Sequence, residues 1–141
     1  MALLSPTLEV IKRQKVQPTE GEWTLLNFLL ENLDNTYEIY FQPFLNGDNP
    51  DFAIMRKESG LLLIEVKDWN LQHYYVDEKT RWRLVKDDTF IKSPLNQVEN
   101  YKDNLFKLHI EELFLKNVKN KDHWATVRCA VYFHNTTEQH L

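Results

Sequence analysis

Apolar and polar positions along this chain mark out a helix, a run of strands, a second helix and a last strand. Thr19-Glu20-Gly21-Glu22 has the T-x-x-E form of a capping box and stands before an apolar run. The spacing predicts a helix to about Leu33, with Trp23, Leu26, Leu30 and Leu33 along one stripe. Asp34-Asn35 ends it, and Tyr37 to Phe41 reads as a strand. Pro43 to Pro50 is a turn-rich loop. Residues 51–55 and 61–66 read as short buried strands, joined by the polar link Arg56-Lys57-Glu58-Ser59-Gly60, whose Gly suits a turn. Residues 68–92 are less regular, but Tyr74 to Val76 and Arg81 to Val85 flank Asp77-Glu78-Lys79-Thr80 as a second hairpin. Ser93 can cap a helix with Pro94 at its first position, and that helix is expected to run to about Leu115. Thr126 to Phe133 is continuously apolar and reads as an inner strand. Residues 1–18 carry no clear period and read as a lead-in arm before one domain over 19–141. This order of elements predicts an α/β fold, a mixed sheet flanked by helices.

One strand carries more than packing information. Leu61-Leu62-Leu63-Ile64 runs straight into Glu65-Val66-Lys67, so charge falls at the end of a segment that should be buried. Charged side chains are costly there unless paired or bound to a metal. With the hairpin centred near Glu58, Met55 faces Leu61, Ala53 faces Leu63 and Asp51 faces Glu65. Lys67, two residues past Glu65, points to the same face. Two carboxylates this close repel unless a cation sits between them. Hard oxygen ligands with open positions favour Mg²⁺ or Mn²⁺, and an ammonium beside them suits metal-assisted phosphodiester hydrolysis. A bulge would move the register by one, so the expectation is proximity rather than pairing.

Asp51, preceded by Pro50 and followed after a hairpin-length gap by Glu65-Val66-Lys67, resembles the D…E-x-K signature of the PD-(D/E)XK nuclease superfamily. The flanking order is narrower. Gly21-Glu22 opens a helix before the motif, Trp69 follows the Lys, Ser93-Pro94-Leu95-Asn96-Gln97 opens a later helix, and Ala130-Val131-Tyr132-Phe133 comes last. It resembles the nuclease-related domain, NERD, over roughly residues 19–134. That resemblance implies a restriction-endonuclease-like fold, DNA as substrate, and Mg²⁺ (Mn²⁺ able to substitute) on Asp51 and Glu65. It also implies the backbone carbonyl of Val66 as a further ligand, Glu22 near the metal, and Gln97 beside Lys67. Products would carry 3′-hydroxyl and 5′-phosphate ends. In the family the domain is commonly fused to a helicase, kinase or DNA-binding partner. The chain stops soon after the last strand, where the family usually has another helix or more. A domain excised from a longer protein and a short stand-alone version both fit.

Several residues carry two readings. Glu22 also serves as the capping-box partner of Thr19. Gln97 could be surface solvation in a first helical turn, and Tyr101, on the same face, either a phosphate contact or a packed tyrosine. Trp69 reads as core or rim, or as a base-stacking platform at the mouth of the site. Asp68 reads as a turn residue. His73 is the one histidine near the motif in sequence, and Cys129 reads as packing. A non-catalytic DNA-binding or docking module, or a scaffold using Glu65–Lys67 as an ion pair, would share these residues.

Size and charge narrow the picture. With 141 residues the chain fits one compact domain. Its net charge of −4 argues against a generic basic nucleic-acid binder, though not against an acidic metal site. Arg81, Arg83 and Lys86, and Lys116, Lys119 and Lys121, read as solvated surface. A single Cys excludes an intrachain disulfide, and three Gly residues leave no Gly-rich phosphate loop. No apolar stretch approaches membrane-spanning length, and the start lacks the order of a signal peptide, so a cytoplasmic placement is expected. Enzymes of the superfamily often act as dimers, but no exposed stripe predicts one here.

Overall fold

The computed structural model describes residues 1–43, 49–56, 59–105 and 127–135. The elements, in chain order, are β1 (Leu3–Ser5), α1 (Leu8–Arg13), α2 (Glu20–Asn32), β2 (Tyr37–Phe41), β3 (Phe52–Arg56) and β4 (Gly60–Lys67). A single 3-10 turn (Leu71–His73) leads to β5 (Tyr74–Val76), β6 (Trp82–Leu84), β7 (Phe90–Ile91), α3 (Pro94–Asn104) and β8 (Val127–Phe133). Five strands form a mixed sheet in the order β1-β2-β3-β4-β8. The β1–β2 and β4–β8 pairs are parallel, and β2–β3 and β3–β4 are antiparallel. Strands β5, β6 and β7 make a separate three-stranded sheet. This is the α/β architecture that the order of elements predicts, and it is consistent with the restriction-endonuclease-like fold that the resemblance implies.

Local chemistry explains the helix starts. Thr19 and Glu22 close a reciprocal capping box, with the Thr19 hydroxyl accepting from the Glu22 amide and Glu22 Oε2 accepting from the Thr19 amide. Ser93 accepts from the Asn96 amide at the start of α3, with Pro94 in its first turn. Gly60 has φ 116°, a positive value that a residue with a Cβ adopts only with strain.

The sheet separates two packed layers. Ile39, Phe41, Phe52, Ile54, Ile64 and Val66 pack with Ile11 of α1 and Leu25, Leu26 and Leu29 of α2. Ala53, Leu63 and Val127 pack with Val98 and Leu105 from the α3 side. The buried face of α2 therefore centres on Glu22, Leu25, Leu26 and Leu29 rather than on the Trp23–Leu33 stripe. Trp23, Leu30 and Leu33 are partly buried at its edge.

Three sequence expectations change. Residues 1–18 are not a loose lead-in: β1 extends the sheet, and Ile11 is fully buried. Parallel pairing to β2 depends on a distant partner, which local periodicity does not record. The second hairpin gains a third strand, β7, too short to leave an alternating pattern. Strand β8 is the last strand of the larger sheet among the described residues, not an inner one. The stretch from 106 to Leu115, and Lys116, Lys119 and Lys121, lie outside the described residues, as do Lys57, Glu58 and most of the 43–50 loop. No helix among the described residues is long and apolar enough to cross a membrane.

Ile11→Ala should lower unfolding free energy by about 2–5 kcal/mol in urea denaturation, the cost of emptying a closed core site. A change within about 0.5 kcal/mol, as at exposed positions, would contradict the packing of residues 1–18 against the sheet.

Candidate active site

The alternation of β4 sets the site. Leu62, Ile64 and Val66 pack toward α1 and α2, whereas Leu61 and Leu63 pack toward α3. Glu65 and Lys67 continue the second series and so share the α3 face. Met55 pairs with Leu61 and Ala53 with Leu63, as the hairpin register predicts. The ladder ends at Phe52–Ile64, leaving Asp51 one step beyond it. Its carbonyl accepts from the Gln42 amide at 2.8 Å, and its Oδ2 accepts from the Val66 amide at 2.7 Å. The Asp51 carboxylate is thereby folded back onto the end of β4 beside Glu65.

Lys67 is held from three directions. Its Nζ lies 3.2 Å from Glu65 Oε1 and donates to Gln97 Oε1 at 3.2 Å. It also sits 5.2 Å from the centre of the Trp69 ring, within cation–π range. Gln97 in turn donates through Nε2 to the Tyr101 hydroxyl at 2.9 Å, which fixes which end of the amide meets the ammonium. Gln97 and Tyr101 are one turn apart on α3, so a single helical face delivers both.

Glu65 is only 5% exposed, and its Oε2 is buried without a hydrogen-bond donor. Burial, and then the neighbouring Asp51 charge, push its pKa up to about 7, against the opposing pull of Lys67. Burial also raises Asp51, opposed by the Val66 amide and Lys67. Glu22 is raised by burial, opposed by its bond to the Thr19 amide, with the Asp51 and Asp68 charges pushing it further up. The three carboxyls thus lie within one electrostatic neighbourhood at the end of β4.

An orphaned buried acceptor beside a second carboxylate is a place a hard cation would satisfy. Among the described residues, no three His, Cys, Asp or Glu side chains form a ready-made metal cage. Mg²⁺ does not require one, since it is usually bound by one or two carboxylates with water completing the shell. The donor set therefore fits Mg²⁺ or Mn²⁺, and lacks the nitrogen and sulfur ligands of a structural zinc site.

The structure brings Asp51, Glu65, Lys67, Gln97 and Glu22 together from the residue before β3, the end of β4, α3 and α2. Tyr101 is partly buried against the α3-side core, and Cys129 packs there too, its thiol 3.6 Å from the Val98 carbonyl. Trp69 is stacked on Tyr74 with ring centres 4.5 Å apart and edges onto Trp82, so it belongs to an aromatic wall. Arg81 and Arg83 share the Asp77 carboxylate and lie over Phe90, a surface patch that is partly neutralised. His73 is exposed in the 3-10 turn. The histidine beside the charge cluster is His134, at the end of β8, near Gly21 and Asp68. Asp68 is more than a turn residue: its Oδ1 accepts from the Gly21 amide at 2.7 Å. The Gln42 side chain lies close enough to Glu22 to favour its charged form. Periodicity marks none of these last three, because each contact joins segments far apart in the chain.

A carboxyl raised from 4.5 to about 7 makes the folded state bind more protons across that interval. Stability from neutral Glu65 is therefore full below about pH 4.5 and lost as pH rises through about 7. In urea denaturation with chelator present, the unfolding midpoint should fall between pH 5 and pH 8, and Glu65→Gln should flatten that fall. Equal slopes for the two proteins would contradict the assignment.

Comparison with known proteins identifies the family. The family model described as nuclease-related domain matches residues 17–134, most of the chain. No curated protein and no solved structure gives a significant match. With its motif residues gathered at the end of one strand and the match spanning both helices around them, the chain belongs to the nuclease-related domain family.

Proposed function

We propose that this domain hydrolyses DNA phosphodiester bonds with Mg²⁺ held by Asp51 and Glu65, Mn²⁺ being able to substitute. The observation that carries the reading is the buried, donorless Oε2 of Glu65, flanked by Asp51 and tied through its other oxygen to Lys67. Such an atom is costly in the ionised carboxylate, and a cation would satisfy it there as a proton shared with Asp51 does when Glu65 is neutral. When bound, a divalent cation there would polarise a phosphate oxygen and lower the pKa of a water.

The side chains divide the remaining work. Asp51 keeps one oxygen on the Val66 amide; its other oxygen and the Val66 carbonyl would be further ligands when a cation is bound. Lys67, as an ammonium, offsets negative charge growing on the phosphoryl oxygens and can hold the attacking water by donating to it. Gln97 and Trp69 fix the ammonium, so little reorganisation is needed as charge develops. Glu22 adds acidic charge to the cation site, directly or through water. The products are 3′-hydroxyl and 5′-phosphate ends.

A second reading is a DNA-binding or docking module without catalysis, joined to a helicase or similar DNA-processing protein. The net charge of −4 gives the domain alone little attraction for phosphates, which favours the docking form of this reading over DNA cleavage by the isolated domain. Weak, salt-sensitive DNA affinity of the isolated domain is common to both readings.

Plasmid cleavage in Mg²⁺ separates them. Asp51→Ala, Glu65→Ala and Lys67→Ala should each reduce the rate by about 10²–10⁴-fold, the range for losing a group acting at the reacting centre. Gln97→Ala should cost about 10–100-fold, as for a residue that orients another. Cleavage unchanged in all variants would indicate a contaminant. Wild-type protein that neither cleaves nor takes up millimolar Mn²⁺ by calorimetry would exclude the metal-dependent reading.

A further inference from the structure

We propose that Asp68 is a positioning residue: it seats the N-terminus of α2 against the sheet and so sets where Glu22 meets the Asp51–Glu65 pair. The inference rests on the reading of that pair as a cation site and adds a residue that the motif does not contain.

The start of a helix leaves backbone amides without intrahelical partners. In α2 the capping box takes the Glu22 amide onto Thr19, and the next orphan, Gly21 N–H, donates to Asp68 Oδ1 at 2.7 Å. A carboxylate is the favoured acceptor at that end of a helix, where the macrodipole adds to the hydrogen bond. The contact leaves no slack. A Cβ at position 21 would lie 2.7 Å from Asp68 Oδ1 and 2.9 Å from the Cβ of His134, closer than real Cβ contacts come. Glycine at 21 is therefore a requirement of close approach.

Asp68 is itself fixed to the sheet. The Lys67 carbonyl accepts from the His134 amide at 2.9 Å, and the Asp68 carbonyl accepts from Asn135 Nδ2 at 3.2 Å. The ends of β4 and β8 are thus locked together, and the helix is docked onto them through one carboxylate. Glu22 follows Gly21 directly. One of its oxygens is committed to the Thr19 amide at 3.0 Å, so the carboxyl cannot swing to compensate if the helix end shifts. A displacement of about 1 Å at such a site is enough to cost a large factor in function.

Three variants test the clamp: Asp68→Asn, which keeps an oxygen acceptor; Asp68→Ala, which removes it; and Gly21→Ala, which pushes from the helix side. In metal-free protein, amide hydrogen exchange at Gly21 should speed up at least tenfold in Asp68→Ala and stay within about threefold of wild type in Asp68→Asn. Mn²⁺ affinity by calorimetry should fall about 10–100-fold in Asp68→Ala and in Gly21→Ala, with rescue in Asp68→Asn. The proposal is overturned if Gly21 exchange is equal in wild type and Asp68→Ala. It is equally overturned if both remaining perturbations leave Mn²⁺ affinity within twofold, or if Asp68→Asn behaves as Asp68→Ala. Failure of the cation-site reading looks different: wild type itself takes up no Mn²⁺, while Gly21 exchange still separates the alanine from the asparagine variant. In that outcome the helix is clamped but delivers Glu22 to no cation site, and the positioning role falls with it.

Discussion

A carboxylate at the buried end of an apolar strand is the constraint around which this domain is organised. Glu65 follows four aliphatic residues and shares their burial, yet it holds a side chain that water would solvate far better. Lys67 neutralises one oxygen, and the other has no donor. Asp51, instead of relieving this, is brought next to it by its bond to the Val66 amide, adding repulsion where a purely structural domain would avoid it. The fold tolerates that concentration of charge because two hydrophobic layers hold the sheet on either side of it.

The helices reach this strand end from opposite sides. α3 begins with Ser93 and Pro94, and its first turns present Gln97 to Lys67 and Tyr101 to Gln97. α2 begins at the capping box and presents Glu22, with Asp68 bridging its first turn to β4. The start of α2 meets the acidic cluster, whereas α3 meets the Lys67 ammonium. The exposed amides and positive dipole end of α2 are favourable neighbours for a carboxylate such as Asp68.

The small β5–β7 sheet joins the site through aromatic packing. Trp69 stacks on Tyr74 and edges onto Trp82, and Trp82 stacks on Phe133 at the end of β8. Because Trp69 also faces the Lys67 ammonium, that wall supports a charged group from its apolar side. A ring used in this way is part of the packing around Lys67, which weakens the base-stacking reading of Trp69.

The sequence by itself determined the elements whose signals are local: the α2 capping box, the Ser93-Pro94 start of α3, strand β2, and the β3–β4 hairpin with its register. From that register and the two-residue alternation of a strand, Asp51, Glu65 and Lys67 could be placed together, since both depend only on neighbours in the chain. Glu22 and Gln97 were legible only through the family's order of motifs, because nothing local ties a helix start to a strand end. Tertiary structure alone decided that residues 1–18 complete the sheet, that β8 lies at the margin of its described part, and that Gly21 must be glycine. It also decided that Asp68, Gln42 and His134 border the site. Those facts arise from contacts between segments tens of residues apart, which leave no periodic trace along the chain and take shape only when the backbone closes on itself.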